Sequence, residues 1–244
     1  MQPMVTIALR AARQAGEMIV KAADNLDSVQ VSEKSKNDFV TEIDKRSEEM
    51  IIDTISKAYP DHHFLSEESG FRGSDSSDIQ WIIDPLDGTT NFVHGIPYVS
   101  VSIACIIKGK IEHAVVVEPF SHDEFTASRG SGTRLNGRRI RVSGKTEKEG
   151  ALYATGIPFN DPSFKNMSEY LNCLYEFAEN SRGVRRMGVA SLDLAYVAAG
   201  RFDVFFEMYL KPWDIAAGAL LVREAGGFVS DFEGGENFLS TGMF

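Results

Sequence analysis

Between Met4 and Ala23 the apolar residues fall at Val5, Ala8, Leu9, Ala12, Ala15, Ile19, Ala22 and Ala23, with Arg10, Arg13, Glu17 and Lys21 turned the other way. That spacing predicts an amphipathic helix. A second helix is predicted from about Thr41 to Ala58, with Ile43, Ser47, Met50, Ile51 and Ile55 on one face and Pro60 beyond its end. Between the two, residues 32–38 are charged and read as a mobile connector. Residues 70–78, rich in Ser, Gly and Asp, read as a loop.

The middle of the chain changes period. Residues 81–83, 99–107, 112–118 and 123–128 are short β-branched or aromatic runs, with turns at Lys108-Gly109-Lys110 and Ser121-His122-Asp123. Helices are then predicted near 166–179, at 191–199 up to Gly200, and from Pro212 to Ala225 before Gly226-Gly227. Strands are predicted at 184–187, 202–206 and 228–230. Helices, then an antiparallel meander, then alternating helix and strand point to layered α/β packing, with two sub-domains meeting near residue 150.

The chain has 244 residues, 43% of them hydrophobic, and 25 Lys+Arg against 35 Asp+Glu give a formal charge of −10. That length can bury a core, and the composition excludes wholesale disorder. The acidic balance argues against a protein built to coat nucleic acid or an anionic membrane, although bound cations can invert a local field. Cys105 and Cys173 stand in apolar surroundings and read as small core residues, too few for a disulfide framework or a zinc site. No basic-then-apolar leader opens the sequence, and no apolar run approaches the ~20 residues of a membrane span. A cytoplasmic location is expected.

Candidate chemistry concentrates in Trp81-Ile82-Ile83-Asp84-Pro85-Leu86-Asp87-Gly88-Thr89-Thr90-Asn91-Phe92. An apolar strand delivers Asp84 to its end, where Pro85, lacking an N–H, is expected to stop the ladder. Asp87 follows closely, so two carboxylates and the Leu86 carbonyl can converge, and three hard oxygen donors suit Mg²⁺. Gly88 permits close backbone approach, and Thr89-Thr90 opens a short helical turn whose free N–H groups can cradle a phosphate. Ser66-Glu67-Glu68-Ser69 follows Phe64-Leu65 at a second strand end, and Asp214 stands in the first turn of the Pro212 helix. A carboxylate there also simply suits the helix dipole, so Asp214 alone is open between cap and ligand.

Asp84 to Phe92, together with Trp213-Asp214-Ile215-Ala216-Ala217-Gly218 and Glu224-Ala225-Gly226-Gly227, resembles the two signatures of the inositol monophosphatase family. Glu67-Glu68 and Thr41-Glu42-Ile43-Asp44 match its pattern too, and residues 191–201 look closest to its bacterial SuhB-type branch. The resemblance spans nearly the whole chain, read as one domain over 1–244. It implies an α/β (α+β) fold, the five-layered αβαβα sandwich of the inositol monophosphatase and fructose-1,6-bisphosphatase type. It also implies lithium-sensitive, Mg²⁺-dependent hydrolysis of a phosphate monoester. By that resemblance Glu67, Asp84 and the Leu86 carbonyl hold one metal, and Asp84, Asp87 and Asp214 a second. Glu67 also reaches a weaker third ion through water. Thr89, paired with Asp44, orients the attacking water, Gly88 and Thr89 N–H groups grip the phosphate, and Glu207 bonds sugar-alcohol hydroxyls. Two metals roughly 3.5–4 Å apart can flank an in-line displacement with no nucleophilic side chain.

An aspartyl-phosphate mechanism of the haloacid dehalogenase class needs Asp-x-Asp, whereas Asp84 and Asp87 stand as Asp-x-x-Asp. His62, His63, His94, His113 and His122 show no zinc-ligand spacing. No Gly-x-Ser-x-Gly elbow or Walker A loop is present. The basic clusters Arg138-Arg139-Ile140-Arg141 and Arg182-Gly183-Val184-Arg185-Arg186 read as solvated loop charge. The SuhB-type resemblance nevertheless implies a different class of role, since some members of that branch bind transcription elongation factors and support ribosomal RNA synthesis without catalysis. Elongation factors or RNA polymerase are therefore candidate partners, beside a small phosphate ester and a second copy of the chain in a homodimer.

Ser66 stands where many relatives have Gly, a change expected to matter little because the Glu carboxylate does the binding. The family pattern continues past Phe244 through one more strand and a helix, so a bare sheet edge or a shortened chain is expected. Inositol 1-phosphate is the expected substrate, with fructose 1,6-bisphosphate, histidinol phosphate and phosphoadenosine phosphates as the alternatives that share the metal core. Two Mg²⁺ ions would offset four of the surplus negative charges, so the acidity reads in part as the apo form of a cation site.

Overall fold

The computed structural model describes residues 1–26, 29, 31–35, 38–73, 77–157 and 167–244. Helix α1 (Pro3–Ala23) buries the Ala-rich face that its periodicity predicted, from Val5 to Ile19. Helix α2 (Glu42–Ala58) begins where Thr41 accepts the Ile43 amide and Asp44 accepts the Thr41 amide, a capping box.

The expected connector between them is instead a hairpin of β1 (Val31–Ser35) and β2 (Asp38–Thr41), with residues 36–37 outside those described. Charge alone suggested mobility, but an antiparallel ladder asks only for backbone donors and acceptors in register. The expected loop at 70–78 likewise starts as strand β4 (Gly70–Arg72), paired with β3 (His63–Ser66), and residues 74–76 lie outside the described set.

An eight-stranded sheet follows, in the order β10-β9-β8-β7-β6-β5-β3-β4. Its further strands are β5 (Ile79–Asp87), β6 (Ser100–Ile107), β7 (Lys110–Glu118), β8 (Asp123–Ser128), β9 (Gly132–Leu135) and β10 (Arg138–Arg139). From β5 to β10 it is the expected antiparallel meander, while β3 joins β5 in parallel. Helix α3 (Thr89–Val93) interrupts it after β5.

A smaller sheet follows, with β11 (Leu152–Thr155) between β12 (Gly183–Arg185) and β13 (Val204–Phe206), all parallel. Helix α4 (Met167–Ala178) covers it; Asn166 of the expected helix lies outside the described residues. Helices α5 (Ala190–Ala198), α6 (Pro212–Glu224) and α7 (Phe238–Thr241) follow along the chain. The apolar run at 228–230 forms no strand: residues 227–231 are irregular and Phe228 is 83% exposed.

Side-chain alternation sorts the strands into layers. On β5 and β6, Trp81, Ile83, Ile103 and Cys105 join α1 and α2 in one core. Ile82 and Ala104 join α5 and α6 in the other. On the small sheet Ala154 and Phe205 face that second core, and Tyr153 and Phe206 pack with Tyr170 and Phe177 of α4. The order is helices, large sheet, helices, small sheet, helix: the five-layered αβαβα arrangement. Cys105 is buried, and burial pushes its thiol up to about 12, whereas Cys173, expected in the core, is only half-buried on α4. Among the described residues no helix is long and apolar enough to cross a membrane.

Candidate metal and phosphate site

Strand β5 does not stop at Pro85. The ladder pairs Asp84 with Ser102 and Asp87 with Ser100, so Pro85 and Leu86 together stand opposite the single residue Val101. This is a bulge, a position where proline's missing N–H costs no ladder bond. The Ser47 hydroxyl of α2 donates to the bulged Pro85 carbonyl at 2.7 Å, and the Leu86 amide donates to Asp84 Oδ1 at 3.1 Å. Asp84 is thereby held at the floor of the site, 2% exposed.

Two long-range contacts bring Glu67 and Asp214 to it, while Asp87 lies three residues along the same strand. Parallel pairing sets Ser66 opposite Ile83, and the Glu67 amide donates to the Ile83 carbonyl, so Glu67 arrives beside Asp84. The Ser102 hydroxyl, on the ladder partner of Asp84, donates to the Trp213 carbonyl at 3.3 Å and draws in the start of α6. Asp214 accepts the Lys211 amide at 2.7 Å, so it caps its own helix and also points charge at the site. Asp87 accepts the amide and hydroxyl of Ser191, at 2.9 and 2.6 Å.

The electrostatics reflect this crowding. Burial, then the charges of Glu67, Asp87 and Asp214, drive Asp84 well above the ordinary carboxylate range. Burial raises Asp87 to about 6 against the pull of the Ser191 donors. Asp214 is driven well up by burial, Asp87 and Glu67. Among the described residues no three such side chains close into a finished ligand shell. The donor set is nonetheless all carboxylate and carbonyl oxygen, and its repulsion is the kind a hard cation relieves.

Next to the carboxylates, Gly88 adopts φ +95° as the N-cap of α3. A β-carbon there would stand 2.7 Å from Val189 Cγ2, so glycine answers both the left-handed conformation and the close approach. Thr89 donates to Asp44 Oδ1 at 2.7 Å and stands 3.1 Å from the Leu86 carbonyl. Asp44 Oδ2 takes the Thr41 amide and hydroxyl, at 2.8 and 2.5 Å. Burial raises Asp44 even against these bonds. Glu207 packs where a β-carbon on Gly156 would collide with its carboxylate, and burial followed by the charge of Asp214 raises it well above its ordinary value.

The residues expected to hold metal, phosphate and substrate lie in one connected region: Glu67, Asp84, Asp87, Asp214 and Glu207 through the charge they exert on one another, and Asp44, Thr89, Leu86 and Gly88 through bonds and chain proximity. Ser191, Ser102 and Ser47 carried no sign in the sequence of their place around the site, beyond Ser191 being a polar residue at the start of an apolar helix. His94 is exposed, with Nδ1 2.8 Å from the Thr90 carbonyl.

Residues 1–243 match the family model described as "Inositol monophosphatase family". The chain is 56% identical over 244 residues to the Nus factor SuhB of Pseudomonas aeruginosa, covering 99% of this chain and 90% of that protein. Its fold matches the crystal structure of the extragenic suppressor protein suhB from Bartonella henselae with a TM-score of 0.94 at 44% identity, over 99% of this chain and 92% of the other. A Thermotoga maritima IMPase matches with a TM-score of 0.87 at 36% identity, over 98% and 90%. With sequence and fold agreeing along its length, the chain belongs to the inositol monophosphatase family.

Proposed function

We propose that the protein hydrolyses a small phosphate monoester, inositol 1-phosphate, with water as the nucleophile and Mg²⁺ as the cofactor. The observation that supports this most directly is Asp84, a carboxylate 2% exposed at the floor of the site, driven well above its ordinary range first by burial and then by the charges of Glu67, Asp87 and Asp214. Glu67, Asp84 and the Leu86 carbonyl would hold one ion. Asp84, Asp87 and Asp214 would hold a second, and Glu67 a weaker third through water. When bound, these ions supply positive charge that eases deprotonation of a water and offsets charge on the phosphoryl and leaving oxygens.

The chain's own groups do the rest. The Thr89 hydroxyl donates its proton to Asp44 Oδ1, so its oxygen remains an acceptor for a proton of the attacking water. Asp44 has its other oxygen committed to Thr41, and burial favours its taking a proton handed on through Thr89. The Gly88 and Thr89 amides donate to phosphoryl oxygens at the start of α3. Glu207 bonds a hydroxyl of the sugar alcohol.

A phosphate-release panel tests this reading, using inositol 1-phosphate, fructose 1,6-bisphosphate, histidinol phosphate and a phosphoadenosine phosphate, with and without Mg²⁺ and with Li⁺ as competitor. Inositol 1-phosphate should be preferred and Li⁺ should inhibit. Asp87→Asn and Asp214→Asn should fold and lose most Mg²⁺-dependent turnover. Wild-type rates in either variant, or a preference for the adenosine phosphate, overturn the assignment.

The 56% identity to a protein named a Nus factor favours a second reading, in which the protein contacts transcription elongation factors or RNA polymerase without catalysis. Full rescue of a deletion strain by the Asp214→Asn gene would make that the main role. Under both readings the protein is a cytoplasmic homodimer, which fractionation and analytical ultracentrifugation test.

A further inference from the structure

Asp87 receives both hydrogen-bond donors of one residue on one oxygen. The Ser191 amide reaches Oδ2 at 2.9 Å and the Ser191 hydroxyl reaches the same atom at 2.6 Å. A hydroxyl has one proton to give. With that proton on the carboxylate, Ser191 Oγ must be the acceptor in its 2.7 Å contact with Ser100 Oγ, so Ser100 is the donor there. Ser100 is also the ladder partner of Asp87 across β5 and β6. Both serines are fully buried, so bulk water does not compete for these bonds. A directed chain thus runs from Ser100 to Ser191 to Asp87, joining the edge of the bulge to the first turn of α5.

We infer that Ser191 is a positioning residue for the cation site. By engaging Oδ2 twice it sets the rotation of the Asp87 carboxylate and leaves Oδ1 to coordinate, and Ser100 fixes the direction of the Ser191 proton. The inference rests on the reading of Asp87 as a Mg²⁺ ligand. The competing role is plain capping of α5, for which the amide contact alone suffices, since first-turn amides lack intrahelical acceptors. The hydroxyl is what separates the two.

Ser191→Ala removes that hydroxyl and keeps the amide. Mg²⁺ binding is measured by titration calorimetry, and as the Mg²⁺-induced rise in Tm, for wild type, Ser191→Ala, Ser100→Ala and Asp87→Asn. Removing an outer-shell partner of a ligand typically weakens metal binding by about 10- to 100-fold. Ser191→Ala should fall in that range and Ser100→Ala should lose less, with metal-free Tm values near wild type. Phosphate release by Ser191→Ala should recover at high Mg²⁺. Wild-type affinity in Ser191→Ala beside lost affinity in Asp87→Asn overturns the positioning role and leaves the metal reading standing. A lowered metal-free Tm with unchanged affinity makes the hydroxyl merely structural and overturns it too. Wild-type affinity in Asp87→Asn overturns both.

Discussion

The Ser66 hydroxyl donates to Glu48 Oε2 at 2.5 Å, joining the end of β3 to a carboxylate on α2 that is 2% exposed. The same oxygen accepts the Glu68 amide at 2.9 Å and the Ser69 amide at 3.3 Å. Arg72 approaches Oε1 at 3.8 Å. The turn that carries Glu67 therefore hangs from Glu48. The Ser66 hydroxyl thus adds a bond to the group that shapes the site.

Truncating Glu48 to Ala strands these donors. Leaving buried donors unpaired costs about 1–3 kcal/mol, whereas Ser66→Ala removes one bond worth about 0.5–1.5 kcal/mol. Urea melts should rank the variants in that order, and Glu48→Ala should also lose phosphatase activity because Glu67 is no longer held. A Glu48→Ala protein as stable as Ser66→Ala would show that the turn supports itself.

Asp44 serves two masters, the Thr41 cap and the Thr89 hydroxyl, and two substitutions separate them. Thr89→Ala should lower turnover by about 10²- to 10⁴-fold, the range for a lost proton-transfer group, with little change in Tm. Asp44→Asn should lower turnover and also weaken the α2 cap by about 1 kcal/mol. Equal stability of the two variants in urea would mean that the cap does not depend on the carboxylate.

Gly88→Ala meets both a left-handed backbone and the Val189 side chain. The conformation costs about 1–2 kcal/mol for a residue with a β-carbon, before any steric shift. Adding Val189→Ala should recover the steric part and leave the backbone part, which a double-mutant cycle on Tm resolves. Strict additivity would deny the contact.

Asp193, buried under the site, accepts the Tyr98 hydroxyl at 2.9 Å. Burial, set against the Tyr98 bond and Arg186 and reinforced by Asp87, pushes it up to about 8 from 3.8. Between those values the folded chain holds a proton that the unfolded chain has released. Its contribution to stability is complete below about pH 4 and is lost as pH rises toward 8. Asp193→Asn keeps an acceptor for Tyr98 but cannot titrate. The stability of wild type relative to this variant should therefore fall steadily from pH 5 to pH 8 in urea melts. A constant difference would place the titration elsewhere.

By itself the sequence determined the helices α1, α2, α5 and α6 to within a residue or two. Their periodicity, caps and Gly or Pro boundaries act within one turn of chain. It also singled out the candidate acidic residues, because Asp84-Pro85-Leu86-Asp87-Gly88-Thr89 carries its meaning in residue type and close spacing. The tertiary structure decided what depends on partners far along the chain. The strands at 31–35 and 38–41 exist because the two stretches pair through backbone, and 228–230 stays irregular because an apolar run without a neighbouring strand has no ladder to join. Pro85 marks a bulge rather than an end because β6 continues past it. Glu67 reaches Asp84 only through the parallel register of β3 on β5, Asp214 through Ser102, and Asp87 is oriented by Ser191 and Ser100. A local pattern can place a carboxylate at the end of a strand, but the direction in which it points is set by hydrogen bonds from residues that only folding brings near.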